Sequence, residues 1–228
     1  MTRFPHLKSW LLTLTVLSLS SGAALAAKDP FKNARQDFKD AYAKATSVLT
    51  DDKDDSQALR SYPLYSYLQA ARIKRELVDA TNGLNNADKR AETFLATYER
   101  EPVGRELRAA WLSSLALRQQ WQPFLQHYRD EAAGDSLRCH SFTARIASGR
   151  TENLSLDVAR QWLTPSSLPD CERAFEWMRS QQALTPELIE QRVRRALENN
   201  NPSFARQIAA SLPPERSAPL LRWAALLE

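Results

Sequence analysis

Apolar residues recur along this chain at spacings of three and four, the period of a helix with one buried face. Leu64, Tyr67, Leu68, Ala71 and Val78 form one such stripe, and Leu107, Trp111 and Leu115 another. Pro63 precedes the first stripe and suits an initial helical position, where a missing N–H costs nothing and φ is already fixed. Asp29 and Pro30 give a cap and first turn for a helix through Phe31, Phe38 and Tyr42 to about Leu49. The run 82–86, rich in Asn and Gly, ends the helix that begins at Pro63. Further helices are predicted over 87–98, from Pro102 onward, and over 121–132, 135–147, 154–163, 170–181, 186–198, 202–211 and 215–227. Alternating β-branched runs are missing, and the glycines are too few for tight hairpins, so the pattern predicts an all-α chain.

Many short helices joined by short loops fit stacked helical hairpins forming an α-superhelix, a tetratricopeptide-like solenoid arc, better than a four-helix bundle. An internal echo points the same way. Ala159-Arg160-Gln161 recurs as Ala205-Arg206-Gln207, each followed by Leu and Pro and each preceded by a turn, Ser148-Gly149-Arg150 or Asn199-Asn200-Asn201. At the end of the chain, Leu220, Trp223, Ala224 and Leu227 make a stripe with no later helix to cover it. An exposed patch and self-association through this C-terminal helix are therefore expected.

The N-terminus changes the picture of where the chain works. Arg3 and Lys8 precede the apolar run Trp10 to Leu19, and Ala24-Leu25-Ala26 supplies small residues for cleavage, so residues 1–26 read as a secretory signal peptide. A single domain over 27–228 remains, and a periplasmic location is expected. No later run approaches the ~20 apolar residues of a membrane span. Removing Arg3 and Lys8 takes the formal charge from +4 to +2, which does not call for a nucleic-acid partner. Cys139 and Cys171, the only two cysteines, read as a disulfide in an oxidising compartment. A metal site built from Cys139, His140 and Cys171 has the wrong spacing, and no metal or other cofactor is expected.

The run Tyr62-Pro63-Leu64-Tyr65-Ser66-Tyr67-Leu68 resembles the helical superstructure of soluble lytic murein transglycosylases, periplasmic enzymes that cleave peptidoglycan glycan strands. So does the order Arg138-Cys139-His140-Ser141-Phe142-Thr143-Ala144, Ala159-Arg160-Gln161-Trp162-Leu163-Thr164, Pro169-Asp170-Cys171 and Phe175-Glu176-Trp177-Met178. The likeness continues through Ile189 to Leu197 and covers about residues 31–228. In that family the catalytic residues lie in a C-terminal lysozyme-like domain, marked by E-S, G-L-M-Q and A-Y-N motifs. Here Gly83-Leu84 is followed by Asn85-Asn86, Ala41-Tyr42 by Ala43, and no Glu-Ser pair occurs. The resemblance therefore implies the N-terminal superhelical part of such an enzyme, a fragment or truncated product that is inactive alone. Its implied partners are peptidoglycan glycan strands or a missing C-terminal catalytic portion. The rival reading is an independent periplasmic helical-repeat adaptor that binds a protein partner on its concave face.

Sharper sites compete with plainer readings. Asp51-Asp52-Lys53-Asp54-Asp55 lacks the Gly and Glu of a calcium loop and reads as a solvated connection. Arg192, Arg194 and Arg195 are candidates for glycan contact through muramyl or peptide carboxylates, which guanidinium forks match. Pairs such as Glu190 with Arg194 and Arg195 with Glu198 make a solvated face the simpler account. His127 reads as a packing or surface histidine. Trp111, Trp162, Trp177 and Trp223 sit beside apolar stripes and read as core rather than as sugar-stacking platforms. The sequon at Asn153 carries no functional weight.

Overall fold

The computed structural model describes residues 31–228 apart from residue 82, and within them the chain is all-α. The predicted signal peptide and the Asp29-Pro30 helix start lie outside the described residues. The helices are α1 (Lys32–Ser47), α2 (Gln57–Arg60), α3 (Tyr65–Val78), α4 (Asn86–Tyr98), α5 (Pro102–Leu117), α6 (Trp121–His127) and α7 (Asp135–Ala147). They continue with α8 (Leu154–Trp162), α9 (Glu172–Ser180), α10 (Pro186–Glu198), α11 (Pro202–Ala209) and α12 (Pro214–Leu226). Short 3-10 turns occupy Asp130–Ala132 and Pro169–Cys171.

Most helices pack on their neighbour in sequence, as α3 on α4, α4 on α5, α5 on α6, α6 on α7 and α10 on α11, and α1, α3, α5, α7 and α9 also touch one another in order. That is the connectivity of stacked hairpins, with one row of helices in continuous contact and the other filling between them. In the C-terminal unit α10 meets both α11 and α12. The apolar core runs the length of the stack. One part, around Leu107, Trp111, Leu115 and Phe124, joins α3 to α7, and another, around Phe142, Val158, Phe175, Met178 and Val193, joins α7 to α12.

The hairpin turns share one device. α5, α7, α9 and α10 each end with a residue in the left-handed conformation, namely Gln119, Gly149, Gln182 and Asn200. In every case two N–H groups fold back on the last helical turn, as Gln182 N–H to Arg179 O at 2.9 Å and Ala183 N–H to Met178 O at 3.0 Å. This Schellman pairing satisfies carbonyls that a helix end leaves open. Only Gly149 is a glycine, so three of the four turns hold a side chain in a region that disfavours it. Between α4 and α5 the constraint is different. A Cβ on Gly104 would lie 1.9 Å from the Tyr98 carbonyl oxygen, so the close approach of these helices depends on glycine there.

Two buried ion pairs fasten the N-terminal half. Asp88 receives both terminal nitrogens of Arg118, at 2.7 and 3.0 Å, together with Trp111 Nε1–H at 2.8 Å and the Asn85 N–H at 2.8 Å. Asn85 Oδ1 accepts from the Ala87 and Asp88 N–H groups, which completes a capping box at the start of α4. Burial pushes the Asp88 carboxyl up, but the hydrogen bonds from Arg118, Asn85 and Trp111 outweigh it and hold the group below its ordinary range. Asp55 accepts from both terminal nitrogens of Arg72, at 2.7 and 2.9 Å, and from the Tyr65 hydroxyl at 2.7 Å. Its carboxyl is likewise held low against the opposing effect of burial.

Several expected boundaries move. The helix expected from Pro63 begins at Tyr65, because Tyr62 to Leu64 form turns closed by Tyr65 N–H to Tyr62 O and Tyr67 N–H to Leu64 O. The stripe there shifts too. Leu68, Ala70, Ala71, Ile73 and Leu77 face the core, whereas Leu64 and Val78 are exposed. The aspartate-rich connection is not uniformly solvated, since the Asp55 side chain is 8% exposed and sealed by Arg72. It leads into α2, a single capped turn in which Ser56 Oγ accepts the Leu59 N–H. The helix expected over 121–132 stops at His127, where Tyr128 turns extended. The one expected over 170–181 is split into a 3-10 turn and α9. At the chain's end Leu220 and Ala224 are buried and Trp223 packs on the core, so most of the expected outward stripe faces inward. The apolar side chains left outside on α12 and just beyond it are Leu221, Leu226 and Leu227.

Cys139 on α7 and Cys171 form a disulfide, with both cysteines buried in the C-terminal core and their Cα atoms 4.5 Å apart. No helix among the described residues is long and apolar enough to cross a membrane.

Three stability measurements test these contacts. Asp88→Asn leaves Arg118 buried without its anion and is expected to cost about 3 kcal/mol in urea unfolding at neutral pH. A depressed carboxyl stabilises fully above its unfolded value and loses that contribution as pH falls through the lower folded one. The native chain should therefore weaken below about pH 4, and the variant should show a shallower acid slope. Gln119→Gly and Gln182→Gly relieve left-handed side chains and are expected to stabilise by about 1 kcal/mol each, read as a raised denaturation midpoint. Replacing Cys139 and Cys171 together by alanine opens a loop of 32 residues and should cost roughly 3 to 4 kcal/mol on the chain-entropy account.

Candidate functional site

The carbonyls of Leu163, which caps α8, and of the loop that follows it need donors, because backbone acceptors outside a helix or sheet find no partner in their own segment. Two of the three candidate arginines supply them. Arg192 donates from Nε to Thr164 O at 3.2 Å and from Nη2 to Ser166 O at 2.9 Å. Arg195 donates from Nη1 to Leu163 O at 3.0 Å, and Asn201 Nδ2 reaches Pro165 O at 3.3 Å. Four successive backbone acceptors after Trp162 are thereby satisfied from α10 and the turn that follows it. Arg194 points elsewhere and pairs with Glu190 at 2.7 Å on the helix surface.

Arg192 does not belong to a solvated face. It is 3% exposed, and its guanidinium carbon lies 4.1 Å from the centre of the Trp162 ring, 5.0 Å from Phe204 and 5.1 Å from Phe175. Four helices converge on this cation: α8 through Trp162, α9 through Phe175, α10 through Arg192 itself and α11 through Phe204. Trp162 and Phe175 meet edge to face, and Trp162 Nε1–H donates to Leu188 O at 3.3 Å, which fixes the indole plane beneath the guanidinium. Burial pushes the Arg192 guanidinium down to about 10, so it remains a cation at neutral pH.

Beside it opens a cavity of about 400 Å³. Phe175, Leu184, Ile189 and Phe204 give it apolar walls, Arg192 lines it, and Arg179 and Glu172 stand at its mouth, paired with each other at 2.7 Å. A second groove, of about 520 Å³, is lined by Tyr128, Arg138, Arg145, Asp157, Arg160 and Gln161. Its arginines already hold carboxylates, Arg145 and Arg160 through Asp157 and Arg138 through Asp130 and Asp135. Nothing in the sequence pointed to the cavity beside Arg192, because Arg179, Leu184 and Phe204 come together only through the stacking of α9, α10 and α11.

The remaining candidates fall into place as packing. His127 lies 4.5 Å from Trp111 ring to ring, and burial pushes its imidazole down. Trp111 and Trp162 are buried, while Trp177 and Trp223 lie at the edge of the C-terminal core. Among the described residues no cluster of three or more His, Cys, Asp or Glu side chains could hold a metal ion. The carboxyls whose ionisation is displaced, Asp51, Asp55, Asp88 and Glu187, all move downward, which keeps them anionic at neutral pH.

No protein-family model matches the chain. In sequence it is 25% identical over 158 residues to the soluble lytic murein transglycosylase of Salmonella typhimurium and 24% identical over 158 residues to that of Escherichia coli. The stretch covers 69% of this chain but 24% of each relative, so the chain spans about a quarter of the length of the curated proteins it matches. In structure it superposes on the lytic transglycosylase Slt of Pseudomonas aeruginosa with a TM-score of 0.68 and 25% identity, over 85% of this chain and 31% of that one. The 70-kDa soluble lytic transglycosylase of Escherichia coli matches with a TM-score of 0.65 and 21% identity, over 83% of this chain and 31% of that one. The resemblance read from the Tyr62 and Cys139 regions thus extends along most of the chain, which is similar to a part of the soluble lytic murein transglycosylases.

Proposed function

We propose that this chain is a superhelical, architectural module of the lytic transglycosylase type, one that places peptidoglycan rather than cleaving it. The observation that carries this reading is the match in both sequence and fold to a part of lytic transglycosylases, along most of this chain. The chemistry of the described carboxyls fits a supporting role. A transglycosylase-type acid must hold a proton near neutral pH before returning as a base, which requires a carboxyl raised in a shielded cleft. Asp55 and Asp88, the carboxyls most engaged in the interior, are pulled the other way by Arg72 and Arg118.

The periplasm is the compartment proposed. The buried Cys139–Cys171 disulfide supports an oxidising environment, and the predicted leader supports export. A continuous stack of helical hairpins offers an extended surface for a polymer without requiring a cofactor.

Incubation of the purified chain with isolated peptidoglycan is expected to release no anhydromuropeptides, with product release by mass spectrometry as the readout. Sedimentation with insoluble peptidoglycan is expected to retain the chain. Release of anhydromuropeptides by a contaminant-free preparation would overturn the non-catalytic role. Failure to co-sediment would shift the reading to a helical-repeat adaptor for a protein partner.

A further inference from the structure

Three deeply buried guanidiniums among the described residues are treated differently. Arg72 and Arg118 each hold a carboxylate in a bidentate grip, through Asp55 and Asp88. Arg192 is as buried as either, yet among the described residues no carboxylate lies within ion-pair distance of it. Its Nε and Nη2 are used on backbone carbonyls, and its Nη1 makes no hydrogen bond to the described residues. A cation removed from water with no carboxylate in contact is costly, and backbone carbonyls, aromatic faces and the more distant charge of Glu172 offset only part of that cost. The same guanidinium lines the cavity of about 400 Å³, a size within the range of small-molecule sites.

The walls define what could complete it. Phe175, Leu184, Ile189, Phe204 and Ile208 offer apolar contact, and Ser167, Gln207 and Ser211 offer neutral hydrogen bonds. Two arginines, Arg179 and Arg192, stand against the single carboxylate of Glu172, which leaves the cavity one positive charge in excess. The exposed Arg179–Glu172 pair at the mouth contributes little to stability, so Arg179 can turn towards an entering anion at small cost.

We infer that this cavity is a binding site for a free carboxylate carried on a compact, partly apolar body, with Arg192 as the buried anchor and Arg179 as the second cation at the mouth. The peptidoglycan sources of such a carboxylate, a peptide C-terminus or the lactyl group of muramic acid, rest on the function proposed above. The site itself does not.

The test is titration of the full-length chain, followed by the indole N–H resonance of Trp162, whose ring lies against Arg192. N-acetyl-D-alanyl-D-alanine and N-acetylmuramic acid serve as probes, each beside its methyl ester. Saturable shifts are expected with at least one free acid, which identifies the source, and its ester should bind at least about tenfold more weakly because a charged hydrogen bond is lost. Arg192 also holds the loop after α8, so the variants are made at exposed lining positions instead. Gln207→Trp should fill the mouth and abolish the shift with the thermal midpoint unchanged, and Arg179→Gln should weaken binding several-fold. Absence of a saturable shift with either acid, or equal binding of acid and ester, would overturn the site. Retention on peptidoglycan alongside such a failure removes the cavity alone, whereas acid binding without retention removes the peptidoglycan reading and leaves the cavity.

Discussion

Short amphipathic helices are not stable alone, so every apolar stripe in this chain must be covered by a neighbour. The stack follows from that requirement. α5 is the clearest case, touching α3 on one side and α7 on the other while α4 and α6 close the gaps. Its buried residues, from Val103 to Ala116, occupy much of the helix circumference. The left-handed turns at Gln119, Gly149 and Asn200 make the arrangement repeat, because each reverses the chain over a few residues and packs the next helix on the previous one, and Gln182 ends α9 in the same way. Side chains at three of these positions are tolerated because the paired N–H groups outweigh the local backbone cost.

Polar groups in the interior serve two different ends. The Asp88 cluster joins the start of α4, the middle of α5 and the residue just beyond its end, and every partner is satisfied with good geometry. Such a cluster works as a register pin, since sliding α4 against α5 by one turn would leave a buried carboxylate facing apolar surface. Arg192 also fixes a register, through the carbonyls of Thr164 and Ser166, but its charge is left to aromatic faces and a cavity. Satisfied pairs hold the N-terminal half together. The C-terminal half keeps an unneutralised cation.

Much of the architecture was legible in the sequence because it rests on local periodicity. The stripe of α5 and the proline at its start, the helices expected over 135–147, 186–198 and 202–211, and the pairing of Cys139 with Cys171 depend on spacing, fixed dihedrals or compartment. What escaped depends on contacts between segments far apart. Asp55 looked like one acid in a solvated run until Arg72, seventeen positions on, covered it. Leu220, Trp223, Ala224 and Leu227 read as a stripe with an exposed face, whereas α12 turns back over α10 and α11 and buries Leu220 and Ala224. Arg192 shows the limit most clearly. Its neighbours Glu190 and Arg194 are a surface pair at helical spacing, yet a residue between them points into the core, and only the positions of Trp162, Phe175 and Phe204 reveal it.

The same stacking that builds the fold sets the ionisation of its buried carboxyls. General acid catalysis needs a carboxyl shielded from water and from cations, so that its proton is retained near neutral pH. In this chain shielding comes with arginine, because a buried carboxylate at a helix junction is stable only when a guanidinium neutralises it. Asp55 and Asp88 are therefore good structural anchors and, for the same reason, poor acids. A buried guanidinium without a carboxylate is the complementary case. It keeps its proton at neutral pH, and it can hold an anion in place, which is what the proposed architectural role would ask of it. On the function proposed above, the fixed positive charge and aromatic surface where α8, α9, α10 and α11 meet are the part of the chain suited to recognition.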